Sequence, residues 1–208
     1  MELQTRPSMT RRSSPFDWSG GHPALDLVNT VDDRPSDAPI ENLATYGALV
    51  AFTESAGLIE ASAARRLRSL RGPACTRAAR RARQLREHFY AILAAIQVGR
   101  PVPQSPLDAI ALEVRRAHNA RALTSTRTSS AITHSWMSPA APETALHACA
   151  LAIEDLLVST DHSRIRKCRA IDCEVYFIDT SKAHGRQWCS MKNCGNREKQ
   201  RRWRSGAA

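Results

Sequence analysis

Cys168, Cys173, Cys189 and Cys194 fall within the last forty-one residues of the chain as two pairs, each with four residues between its members. Fifteen residues separate the pairs. Like-spaced pairs of this kind suit one tetrahedral zinc ion: each closes a short loop that delivers two sulfurs, and the spacer is long enough for a small hairpin. A site of four thiolates has no open coordination position, so one Zn2+ held there is structural and not catalytic. It supplies folding free energy that a module of about forty residues cannot draw from its own core.

The charge around the cysteines narrows what such a module touches. Residues 163–208 carry twelve lysines and arginines against Asp172, Glu174, Asp179 and Glu198, which is +8 of the chain's +10. Four thiolates on one Zn2+ lower this to about +6, still strongly cationic. Every lysine lies after position 163, and the remainder of the chain is nearly balanced.

No apolar run approaches the length needed to span a bilayer. The opening MELQTRPSMTRRSSP is polar and charged, with no secretory core. A disordered tail over 1–17 and a cytoplasmic protein are therefore expected. In that reducing compartment clustered cysteines favour metal over disulfides.

Residues 18–162 read as a helical body. Leu25, Val28 and Val31 share helical spacing, and Pro35 and Pro39 then break the chain. Asn42 is a candidate N-cap for a helix running to about Ala56, ahead of the stop at Gly57. Ser62 and Gly72 bracket a short arginine-rich helix, and Pro73 opens the longest one, to about Gln97, with Leu85, Phe89, Ile92, Leu93 and Ile96 as its buried stripe. Ser105-Pro106 starts another. Residues 121–136 lose the 3.6 period and read as a two-stranded hairpin. Pro142-Glu143 begins the last body helix, with Cys149 on its apolar stripe, and Thr160–Ser163 reads as a hinge.

Residues 163–208 then form the metal module. Val175–Ile178 is rich in β-formers, Asp179-Thr180-Ser181 with Gly185 makes a turn, and Arg186-Gln187-Trp188 is expected to return as the paired strand. Asn196 is a candidate N-cap for the basic helix REKQRRWR. The fold class is thus mainly α: a helical body with one β-hairpin, plus a C-terminal treble-clef-like or ribbon-like four-cysteine finger.

The segment RQWCSMKNCGNREKQRRWR closely resembles the CGNR zinc-finger family, whose name matches the run Cys194-Gly195-Asn196-Arg197. Its first cysteine pair, the Phe177–Ser181 turn and the run Trp188–Met191 match in place as well. Upstream, Ala24–Arg34 and the helix ending at Ala56–Ile59 are similar to the ABATE domain that usually precedes this finger. The resemblance covers roughly residues 20–207. It implies a bacterial, stress-linked transcription regulator.

Arg197, Arg201 and Arg204 repeat at helical spacing, flanked by Lys199 and Arg202, with Arg186 and Lys192 nearby. These seven are the candidate nucleic-acid contacts, since a one-signed face beside a metal-fixed helix start offers several phosphate contacts in a defined geometry. Trp203 is expected to dock the helix onto the hairpin, with stacking on a base or sugar as the competing reading. His184 reads as a solvent-facing turn residue. In the body, His22, Asp26, Asn29 and Arg34 cluster as a candidate ligand pocket, with caps and turn residues as the competing reading.

DNA is favoured over RNA as the partner. An RNA binder is the alternative: zinc ribbons with a spare aromatic take single strands, and Tyr176, Phe177 and Trp188 are candidates for an exposed stacking surface. A zinc-stapled protein-interaction module is the third reading, and a homodimer and a small-molecule effector remain open. No Ser–His–Asp set, phosphate loop or Glu-assisted zinc site is present in the sequence, so an enzyme is the least favoured class.

Overall fold

The computed structural model describes residues 15–125 and 132–206, so most of the expected N-terminal tail and the residues joining the hairpin strands lie outside the description. Phe16, placed in that tail by sequence, is buried against Phe52, and Trp18 stacks on the same ring 5.6 Å away. Packed structure therefore begins before residue 18.

The body is built around helices α1 (Pro23–Val28), α2 (Tyr46–Ser55), α3 (Ala61–Ser69), α4 (Pro73–Gln97), α5 (Gln104–Asn119) and α6 (Thr144–Val158). A two-residue ladder joins β1 (Val31–Asp32) to β2 (Ile40–Glu41), and a hairpin pairs β3 (Arg121–Ser125) with β4 (Ile132–Trp136). The long α4 starts where proline fixes the first turn, behind Gly72 at φ 104, a backbone that a side chain would strain. Its buried stripe runs through Leu85, Phe89, Ile92 and Leu93, while Ile96 is exposed. Helices α4, α5 and α6 pack together, with α1 and α2 laid across them.

Helix α2 begins later than the sequence suggested. Thr45, not Asn42, caps it, its hydroxyl accepting from the Ala48 N–H at 3.1 Å. The Asn42 amide instead donates to Asp32 and its N–H to the Thr30 carbonyl, holding the β1–β2 ladder closed. Arg86 of α4, 3% exposed, donates to both Glu41 oxygens, to Glu87 and to the Thr30 hydroxyl, so every nitrogen of the buried guanidinium has a partner.

Thr160–Ser163 is no hinge: Thr160–Arg164 form a 3-10 turn packed on α6, leading directly into β5 (Ile165–Lys167). The partner of β5 is β6 (Tyr176–Ile178), in antiparallel register Ile165↔Ile178 and Lys167↔Tyr176. The return strand expected at Arg186–Trp188 does not form. Strand β6 is buried on both faces, and the alternation of its side chains divides them between two cores. Tyr176 and Ile178 enter the helical core with Ile165, and Phe177 joins the cysteines.

Backbone bonds seal the seam between finger and body. The Ile178 N–H donates to the Gly20 carbonyl, and the side chain of Asn29 exchanges two hydrogen bonds with the main chain of Tyr176. The Tyr90 hydroxyl donates to Glu174, which also pairs with Lys167, and the Tyr90 ring meets Tyr176 edge-on at 5.9 Å. Helix α7 (Asn196–Arg204) closes the chain.

Candidate metal centre and nucleic-acid interface

Two short loops present the four sulfurs. Cys168 follows β5, its N–H donating to the Val175 carbonyl, and Cys173 ends a turn closed by its own N–H on the Ala170 carbonyl. On the opposite side Ser190 caps a π-turn over Met191–Gly195, its hydroxyl accepting from the Asn193 N–H, and this turn carries Cys194 into α7. Asn196 is therefore the first residue of α7 and not its cap; its amide reaches back to the Lys192 carbonyl.

All four sulfurs lie within 4.8 Å of one another, with Cys173–Cys189 at 3.8 Å and Cys189–Cys194 at 3.5 Å. Tetrahedral zinc with bonds of about 2.3 Å sets its ligands about 3.8 Å apart, so the cluster fits that ion. Cys168, Cys189 and Cys194 are buried and Cys173 is partly so. Four thiolates this crowded repel one another until a cation sits among them. One structural zinc ion is the cofactor of this module.

Surrounding groups orient the sulfurs. The Cys189 N–H points at Cys168 Sγ, and Arg197 donates to Cys194 Sγ at 3.4 Å while holding Asp172 at 2.7 Å. Gly195 fits because space there is filled: a Cβ would sit 2.7 Å from the Met191 sulfur and 3.1 Å from the Trp188 ring. Asp179, fully buried, accepts from the Ser181 hydroxyl and N–H and from the Arg186 N–H. Those bonds, the Ser181 hydroxyl foremost, hold its carboxyl down at about 2.

The seven candidate nucleic-acid contacts separate into two groups. The Arg186 guanidinium lies 4.3 Å over the Phe177 ring and donates to the Trp188 and Cys189 carbonyls, inside the module. Arg197 is tied to Asp172, and Arg201 to Glu198 and Asp172, so the face is not one-signed at these two arginines. Lys192, Lys199, Arg202 and Arg204 are exposed and form no ion pair among the described residues. Trp203 does not dock: it is 85% exposed, one turn beyond Lys199 and beside Arg202. Tyr176 and Phe177 are buried and Trp188 half-buried, so of these aromatics and Trp203 the exposed ring is that of Trp203. His184 is exposed in its turn.

His22, Asp26, Asn29 and Arg34 do not converge on one pocket. His22 caps α1, accepting from the Ala24 N–H, and meets Asp155. Asp26 is buried with the Gly20 N–H on its carboxylate; burial raises its pKa to about 7. Asn29 is committed to Tyr176, and Arg34 pairs with Glu87 and stacks on Tyr90, 4.1 Å from the ring centre. They serve as caps and seam contacts because the β1–β2 turn carries Arg34 away toward α4. Asp172 and Glu174, counted in the sequence as acids of the module, hold Arg197 and Arg201 and Tyr90 and Lys167 respectively; their places beside Cys173 were the available signal.

Comparison with known families divides the chain in the same way as its chemistry. A family described as "Putative stress-induced transcription regulator" (ABATE) matches residues 21–160. The CGNR zinc finger matches residues 164–206. No curated protein matches the chain. Both families are regulatory or zinc-binding, not enzymatic. Among the described residues no helix is long and apolar enough to cross a membrane.

Proposed function

We propose that this chain, which belongs to the ABATE family and carries a CGNR zinc finger behind that domain, is a cytoplasmic transcription regulator that grips duplex DNA through α7. The observation that carries this reading is the outer face of α7. Lys199, Arg202 and Trp203 stand together at helical spacing, all exposed, beside a helix start fixed by a metal ligand. Cations without carboxylate partners can neutralise phosphates at no cost in broken ion pairs, and an exposed indole flanked by them adds contact with sugar or base.

Each residue then has a defined part. Lys199, Arg202 and Arg204 contact phosphates, with Lys192 extending the strip past the π-turn. Arg197 and Arg201 orient the helix through Asp172 and reach the backbone only secondarily. Arg186 locks the loop that bears Cys189. Burial of Tyr176 and Phe177 takes two rings away from a single strand and leaves Trp203 as the exposed aromatic beside the cations, which supports duplex over single-stranded RNA only through the phosphate contacts of α7.

The test is the salt dependence of binding to a fluorescent duplex. Each neutralised phosphate contributes about −0.9 to the log–log slope. Arg202→Gln and Lys199→Gln should each flatten the slope by about that much while zinc content stays unchanged. Absence of binding to any duplex at low salt rejects the reading. Tighter binding to structured RNA than to duplex at equal salt replaces the partner.

A further inference from the structure

A cavity of about 630 Å3 opens on the body, and none of its walls comes from the finger. Its floor is apolar: Leu58 and Ile59 from the α2–α3 connection, and Ala148, Leu151 and Ala152 from α6. The two alanines, one turn apart, leave the space that larger side chains would fill. Trp136 and His134 of β4 form one wall, and Arg66 of α3 and Arg121 of β3 reach in from the sides.

Exposed arginines without an acidic partner among the described residues, such as Arg77, Arg80 and Arg115, occur elsewhere on the body, and Arg66 is one of that kind; Arg121 differs in being half-buried. Arg34, Arg81 and Arg86 each hold a carboxylate, and Arg83 donates to the Leu43 and Ala44 carbonyls. Arg121 is half-buried, lies 5.6 Å over the Trp136 ring, and has no ion-pair partner among the described residues; nor does Arg66. A partly desolvated guanidinium without an anion calls for one from outside. The acids at the rim do not supply it: Asp155 meets His22, and Glu60 faces solvent at the start of α3.

We infer that this cavity binds a small aromatic carboxylate, its ring on the apolar floor beside Trp136 and its carboxylate held by Arg121 and Arg66. The volume lies within the range of small-molecule sites, about 300–1,000 Å3. Arginine suits the charged end because its planar fork matches a carboxylate with two parallel bonds. This site stands independently of DNA binding, and its test uses no nucleic acid.

Isothermal titration of the full chain with 1-naphthoate, and separately with neutral 1-naphthamide, decides the matter. One naphthoate per chain is expected, with the amide at least about tenfold weaker. Arg121→Gln and Arg66→Gln should each weaken naphthoate about tenfold, whereas Arg65→Gln, on the same helix outside the cavity, should leave it unchanged. Arg66 is exposed, so its variant keeps the test decisive if Arg121→Gln fails to fold. No binding at millimolar naphthoate, equal binding of the amide, or indifference to Arg66→Gln overturns the assignment.

Discussion

Asn29 and the main chain of Tyr176 exchange two hydrogen bonds, the amide donating to the carbonyl at 2.9 Å and the Tyr176 N–H returning to Oδ1 at 3.0 Å. A residue at the end of α1 thereby acts as an extra strand partner for β6, whose free edge would otherwise leave two buried backbone groups unpaired. Finger and body meet through this contact as one continuous structure. Asn29→Ala should cost about 2–6 kcal/mol, from two stranded polar groups at about 1–3 kcal/mol each. Asn29→Asp keeps the acceptor, loses the donor and sets a charge against a carbonyl, so it should not rescue. Urea unfolding followed by circular dichroism measures both.

Asp26 makes stability depend on pH in an unusual direction. Burial raises its folded pKa from 3.8 to about 7, so the folded state binds the proton more tightly than the unfolded chain. That contribution is complete below about pH 4, declines as pH rises toward 7, and is gone above it. The free-energy difference between the wild type and Asp26→Asn should therefore move against the wild type across this window, by at most about 1.4 kcal/mol per pH unit, and be flat from pH 8 upward. Taking the difference cancels the separate response of the metal ligands.

Gly20 stands where α1, Asp26 and β6 meet. A Cβ there would lie 2.7 Å from Asp26 Oδ1, 2.9 Å from Leu25 Cβ and 3.0 Å from the Asp26 nitrogen, and the backbone cannot yield cheaply. Gly20→Ala should destabilise by about 1–3 kcal/mol, as overpacking does. Faster hydrogen exchange at the Ile178 amide, which donates to the Gly20 carbonyl, would place the damage at the seam.

Arg197 and Arg202, five residues apart, should behave differently. Arg197 bridges Asp172 and the Cys194 sulfur, so Arg197→Gln should weaken zinc retention against a chelator by about 10–100-fold, as loss of a group supporting a ligand does. Arg202 touches neither, so Arg202→Gln should leave zinc retention alone and alter only the salt slope of DNA binding. Competition with a chromophoric chelator separates them.

The cysteine pairs were readable because zinc imposes spacing as well as residue type, and the long α4 because proline and a 3.6-period stripe mark it. The partner of β6 was not. Ile165–Lys167 is three residues long with two cations, weak by local preference, and pairs only because Ile165 finds the helical core. Arg86 was concealed among the arginines of α4, since burial of one depends on Glu41 arriving from a distant turn. Trp203 was expected to pack on the hairpin, over stacking on a base or sugar. It is 85% exposed on α7, and a tryptophan in a short basic helix reads the same in sequence whether it packs or faces solvent.

Zinc and body are coupled if Tyr176 and Ile178 enter the helical core while Phe177, between them, packs on the metal cluster. Zinc stoichiometry combined with thermal unfolding at the helical signal, before and after chelation, tests this most directly. One zinc per chain is expected, with a single melting transition that moves to lower temperature when the metal is stripped and recovers when it is restored. Metal-free protein melting at the same temperature as the loaded form, or fewer than one zinc per chain in fully folded material, would contradict it.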